Sequence, residues 1–104
     1  MVDEIDNAKE FEKALKADFA FVDFFADWCM PCVMMAPVIE ELSEKLKGKI
    51  KFGKVNVEDN QKLAQKYKVM SIPNFVLFKG GQVADQIIGG VGADVLEQKL
   101  GKHC

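Results

Sequence analysis

The sequence predicts an α/β domain, a mixed β-sheet flanked by helices on both faces. Three features point there. The elements run helix, strand, helix, strand, helix, strand, strand, helix. That order needs a parallel crossover early and an antiparallel pair late. Phe19–Ala26 is apolar on both faces apart from Asp23, as a central strand covered from both sides is. Gly80-Gly81 separates two strand-like runs, which is the sequence of a two-residue hairpin turn.

Taken in order, Asn7–Ala17 carries Ala8, Phe11, Ala14 and Leu15 at helical spacing, with lysines and glutamates between them. Phe19–Ala26 is the central strand. From Met30 to about Lys47 the pattern is helical again, through Val33, Met34, Pro37, Val38, Leu42 and Leu46, and Gly48 stops it. Pro37 removes one hydrogen bond inside that helix and curves it. Ile50–Val57 reads as a strand. Asn60 is placed to cap a short helix, Gln61–Tyr67. Pro73 opens the strand Asn74–Lys79, and the glycine pair turns it into Gln82–Ile88. Ala93–Leu100 closes the chain as a helix with Val95, Leu96 and Leu100 inward, leaving Gly101–Cys104 as a mobile tail.

The 104 residues fit one domain spanning 1–104. Hydrophobic residues make up 49% of them, enough for a core, and exclude disorder as the default. The net charge is -2, and all 14 basic residues are lysine. No basic excess is present to neutralise phosphates, so no nucleic-acid partner is expected. Three cysteines are too few to staple a small secreted scaffold. The start, Met1–Asp6, is acidic where a signal peptide is basic, and the apolar run Phe19–Phe25 is too short to span a bilayer. A cytoplasmic monomer without a membrane partner is expected. In such a compartment a cysteine pair is more often catalytic or metal-binding than structural.

Cys29 and Cys32 sit at the junction of the central strand and the long helix. Residues three apart on a helical turn bring their Cβ atoms to ~5–6 Å, and a small adjustment closes that to the ~3.5–4.5 Å of a disulfide. The pair can therefore open and close without moving the fold. The first thiol lies where free backbone N–H groups and the helix dipole favour an anion, and a thiolate there is a usable nucleophile. Trp28 and Pro31 stiffen the loop and make it partly apolar. A zinc site needs four ligands, and the other candidates, His103 and Cys104, are adjacent at the chain end. A c-type haem wants His after the second cysteine, where Val33 stands. An iron–sulfur cluster wants four thiolates. No metal is expected.

Val22-Asp23-Phe24-Phe25-Ala26-Asp27-Trp28-Cys29-Met30-Pro31-Cys32, then Ala36-Pro37, Ser71-Ile72-Pro73-Asn74 and Gly89, resembles the thioredoxin family over nearly the whole chain. The resemblance implies the thioredoxin fold and a protein-disulfide reductase. It implies no cofactor beyond the Cys29–Cys32 disulfide, disulfide-containing protein substrates, and recharging by a flavin-dependent thioredoxin reductase or a similar electron donor. Cys29 would attack the target disulfide, and Cys32 would resolve the mixed disulfide.

Asp23 is a carboxylate in an apolar strand, where burial raises its pKa toward neutrality. The resemblance puts it beneath the disulfide, as proton acceptor for Cys32, with Lys54 close by. It implies a cis bond before Pro73, a backbone at Ile72 that pairs with an extended substrate, and Gly89 beside the substrate groove. Trp28, Met30 and Pro31 join these as substrate-contacting residues. Met30 and Met70 are expected at the surface, where flexible thioethers suit varied partners, and Met34 and Met35 in the core or on the helix flank. The chain departs from the family pattern at Met30, Val33, Phe25 and Asn74, where glycine, lysine, tryptophan and threonine are usual. Cys104 reads as an exposed, incidental thiol. Two other functions fit the same residues: a binding subunit of this fold whose redox activity is secondary, and an oxidase or isomerase of protein disulfides.

Overall fold

The computed structural model describes residues 1–104. In chain order the elements are β1 (Asp3–Glu4), α1 (Ala8–Ala14), β2 (Phe19–Phe25), α2 (Met30–Lys45), β3 (Lys51–Asn56), α3 (Gln61–Lys66), β4 (Asn74–Lys79), β5 (Gln82–Ile88) and α4 (Ala93–His103). Every expected element is present. The addition is β1, whose two residues are too few to show a pattern in sequence.

The sheet has the order β1-β3-β2-β4-β5. Strand β2 is its centre and changes pairing sense across itself. It runs parallel to β3, with Asp23 opposite Lys54, and antiparallel to β4, with Phe24 opposite Asn74. Parallel β2 and β3 require the α2 crossover, and antiparallel β4 and β5 need only the Gly80-Gly81 turn. Both turn glycines have positive φ, +58° and +82°, the backbone that a type I′ hairpin imposes at both central positions.

Each face of the sheet is covered. On one, Met35, Ile39 and Leu42 of α2 and Leu96 and Leu100 of α4 pack on Phe21, Phe52, Phe75 and Leu77. On the other, Phe11 and Ala14 of α1 pack with Leu63 and Tyr67 against Val22, Phe24, Val76 and Phe78. Phe11 and Tyr67 each meet the Phe78 ring edge-on, at 5.6 and 5.2 Å between centroids, a favoured aromatic geometry.

Several local expectations are corrected. Val95 does not face inward and is 38% exposed. Leu96 and Leu100 are one helical repeat apart and define the buried face, which turns Val95 away. In α2 the buried stripe is Cys32, Met35, Ile39, Leu42 and Ser43. Of the apolar recurrence read in sequence, Leu42 lies in it, Val38 and Leu46 pack partly buried against the core, and Val33 and Met34 are exposed. Helix α4 runs on through the expected tail to His103, whose Nε2 lies 3.2 Å from Asp85 Oδ2 on β5. Asn60 stands at the N-cap of α3 as expected, but its side chain makes no capping bond, and its Nδ2 donates to Asn56 O at 3.1 Å. Asn7 does cap α1, accepting from the Glu10 N–H at 2.9 Å, and α1 ends at Ala14. No helix is long and apolar enough to cross a membrane.

Candidate active site

Strand β2 ends at Phe25, and a short turn delivers Cys29 to the N-cap of α2. The turn is closed by the Cys29 N–H, which donates to Ala26 O at 3.2 Å. Cys29 Sγ accepts from the Cys32 N–H at 3.3 Å, so a sulfur takes the place that a capping oxygen usually holds. The first-turn donors of a helix have no partner in the helix, and here one of them points at sulfur. Pro31 stands in that first turn, where a missing N–H removes nothing the helix needs.

Cys29 and Cys32 are joined as a disulfide with 5.2 Å between Cα atoms. Both are 4% exposed. In this oxidised state neither cysteine is the more exposed of the two. Both cysteines cluster with Ala26, and Phe25, Val57 and Ile72 pack against the group.

The rim above the pair is apolar and open. Trp28 and Met30 are each 66% exposed, Met34 is 70% exposed and Met70 is 93% exposed. Met35 alone of the expected helix-flank pair enters the core. The antiparallel β2–β4 pairing starts β4 where β2 ends, which brings the segment before Asn74 to the cysteines. The Ile72–Pro73 bond there is cis, Pro73 is buried, and Ile72 is half-buried. Gly89 donates its N–H to Pro73 O at 2.8 Å and has φ +91°. A Cβ at Gly89 would meet open space, so backbone conformation is what the chain itself asks of this glycine.

Behind the pair lies a cavity of about 190 Å³, lined among others by Asp23, Cys32, Lys54, Asp27 and Ala36. Asp23 is 6% exposed, and its Oδ1 has no hydrogen-bond partner. Burial raises its pKa to about 7, against the opposing pull of the Lys54 ammonium. A carboxyl that titrates near neutrality beside a thiol can take and return a proton in the physiological range. No group of three or more His, Cys, Asp or Glu is arranged to hold a metal ion.

The structure thus brings together Cys29, Cys32, Trp28, Met30, Pro31, Ile72, Pro73 and Gly89 at one end of the sheet, with Asp23 and Lys54 behind them. Sequence reasoning missed Asp27 and Ala36 in the cavity wall and Glu4 beside Lys54. Asp27 and Ala36 lie inside the stretches that carry the family resemblance, which was a usable signal. Glu4 had none, since its strand is visible only through its pairing with β3. Asn74 is wholly buried on the opposite face of β4. Its Oδ1 accepts from Gln86 Nε2 at 3.0 Å, and its Nδ2 has no partner.

A sequence model of the thioredoxin family matches residues 3–102. The chain is 48% identical over 82 residues to thioredoxin 1 of a Nostoc species, covering 79% of this chain and 77% of that one. It is 42% identical over 94 residues to a Staphylococcus aureus thioredoxin, covering 90% of each. Among solved structures, Plasmodium falciparum thioredoxin superposes with a TM-score of 0.92 at 32% identity, over 99% of this chain and 100% of that one. A yeast structure described for thiol resolution in a mitochondrial 1-Cys peroxiredoxin through glutathione and thioredoxin systems superposes with a TM-score of 0.88 at 31% identity, over 97% of this chain and 94% of that one. By sequence and by fold the chain belongs to the thioredoxin family, as a thiol–disulfide oxidoreductase of the protein-disulfide reductase type.

Proposed function

We propose that residues 1–104 act as one domain and as a monomeric cytoplasmic electron carrier, with Cys29 as the nucleophile. Reduced Cys29 attacks one sulfur of a target disulfide, forms a mixed disulfide and expels the other target sulfur as a thiolate. Cys32 gives its proton to the Asp23 carboxylate and attacks Cys29 Sγ. The second target thiolate leaves, and the Cys29–Cys32 disulfide closes. Two electrons pass to the target. A thioredoxin reductase or similar donor supplies them again, and Asp23 returns its proton to Cys32. The observation that carries this reading is the shared cavity of Asp23 and Cys32 behind a sulfur that caps a helix.

The substrate is an extended segment of a disulfide-bearing protein. Trp28, Met30 and Pro31 offer it an apolar rim on one side. The backbone of Ile72, with Pro73 and Gly89, offers a short strand edge on the other. The peroxiredoxin named with the yeast neighbour belongs to this class of partner. Met30 and Val33 alter the immediate surroundings of the pair, so partner preference is where this chain would differ from its relatives.

The test is reduction of insulin disulfides by the dithiol form, with loss of the activity in Cys29→Ser. Equilibration with glutathione sets the direction. A couple more reducing than the glutathione pool supports the reductase, and a more oxidising one replaces it with an oxidase or isomerase. An inactive dithiol form would leave only a binding subunit.

A further inference from the structure

Glu4, Lys54 and Asp23 stand in one row across three neighbouring strands. Glu4 of β1 is in register with Lys54 of β3, and Lys54 with Asp23 of β2. Residues in register across a sheet carry their side chains on the same face. The lysine therefore lies between two carboxyls, and it pairs with only one. Its Nζ is 3.8 Å from Glu4 Oε1 and 5.8 Å from the centre of the Phe25 ring, while Asp23 keeps an unpaired buried oxygen.

Two cavities meet at this lysine. The inner one holds Asp23 and Cys32. The outer one, about 170 Å³, is lined by Glu4, Asp6, Asp27, Asn56 and Asp59 among others, and Lys54, Phe25 and Asp27 border both. The charged and titratable groups around the row can be named from each side. They are Glu4 and Asp6 at β1 and the turn after it, Asp27 from the turn after β2, Cys32 from α2 and Asp59 from the loop after β3. On the β4 side the register partner of Asp23 is Phe75, which carries no charge.

We propose that Glu4 is a positioning residue of the redox centre, one that holds the Lys54 ammonium on the outer side of the row and withholds it from the buried carboxyl. The inference deepens the role given above to Asp23 and rests on it. A cation within ~4–6 Å of a carboxyl favours the ionised form. A lysine has a four-carbon flexible stem and a compact charge, so small changes in its partners redirect it. With Glu4 in place the ammonium has an exposed, hydrated partner and pulls on Asp23 only in part, so that burial dominates there. Without Glu4 the nearest unpaired carboxyl in its own row is Asp23. The edge strand β1 thus acts on proton exchange at Cys32 without touching it.

The experiment is the titration of the Asp23 carboxyl carbon by NMR in the oxidised full chain. Glu4 is exposed at a sheet edge, so Glu4→Gln leaves the fold intact. Its expected effect is a fall of ~0.5–1 pH unit in the Asp23 midpoint, the low end of what an approaching cation does to a carboxyl. In a Lys54→Met background the same Glu4→Gln change should shift the midpoint by less than half as much, because the lysine is the link. An unchanged midpoint in Glu4→Gln overturns the proposal. So does a shift of equal size with and without Lys54, which would be direct repulsion between carboxyls. The titration is read without turnover. If it moves as expected while the pH dependence of insulin reduction stays fixed, the positioning by Glu4 stands and the reading of Asp23 as proton acceptor falls.

Discussion

Two thiol sites sit at opposite kinds of helix end. Cys29 caps the N-terminus of α2, where the Cys32 backbone N–H points at its sulfur. Cys104 closes the C-terminus of α4, where carbonyls and the negative end of the dipole point outward. The paired site is almost wholly buried, and the single one is exposed. Partial desolvation pushes the Cys104 thiol above its ordinary range, against the pull of Lys49 and Lys79. Exposure and chemical competence therefore run in opposite directions. What distinguishes the sites is the backbone field around the sulfur, a second sulfur within reach, and a carboxyl behind it.

The largest expected effect comes from removing the second sulfur. Cys32→Ser should lose all multiple turnover and accumulate a covalent adduct on Cys29, seen as a mass increase that a small thiol reverses. Should the adduct form on Cys104 instead, the contrast between the sites would be broken.

The carboxyl comes next. Asp23→Asn should slow insulin reduction near neutral pH by up to ~100-fold, the low end of what a positioned acid–base group supplies. Rates equal to the parent chain from pH 6 to 9 would remove Asp23 from the chemistry. The same variant should change stability with a definite sign. The folded carboxyl holds its proton up to about 7, while an unfolded one releases it near 4. The folded state therefore binds the extra proton in between, and stability contributed by Asp23 is full at low pH and lost as pH rises through 7. Asp23→Asn should gain up to about 4 kcal/mol relative to the parent at pH 8 and little at pH 3, measured by urea unfolding. Equal stability at both pH values would show that the carboxyl is not desolvated.

A smaller effect separates the thiols directly. In the reduced chain at pH 7, iodoacetamide should modify Cys29 ~10-fold or more faster than Cys104, the gain in thiolate that a helix N-terminus provides. Peptide mapping over time reads both rates, and equal rates would erase the difference between helix ends. The smallest effect is at Cys104 itself. Cys104→Ser should leave insulin reduction unchanged and stability within ~0.5 kcal/mol, as surface substitutions usually do.

Much of this was legible in the chain because it is local. The doubly apolar run Phe19–Phe25, the Gly80-Gly81 turn and the strand-to-helix junction at Cys29 each depend on neighbours in sequence. Asp23 stood out because a lone carboxylate in such a run needs a reason. What failed depends on partners far along the chain. Strand β1 exists through bonds to β3, as in the Ile5 N–H donated to Lys54 O at 2.9 Å, and two residues show no alternation. In α2 the start of the apolar recurrence misleads, because Val33 and Met34 are apolar yet exposed, while Leu42 further along is buried. The last residue of α4, His103, meets Asp85, eighteen residues away on β5, a contact with no local signal in sequence.

The reversal of pairing sense at β2 has a further consequence. Both sulfurs and the acid come from the first half of the chain, while the proline and glycine that face them come from the second. The centre is assembled across that seam and is complete only when the halves meet. A nascent polypeptide stopped after β3 would already own both sulfurs and the buried carboxyl, yet would lack the cis proline and the glycine that face them. The sulfurs and the segment opposite them thus arrive at different moments of synthesis, and folding is what joins them.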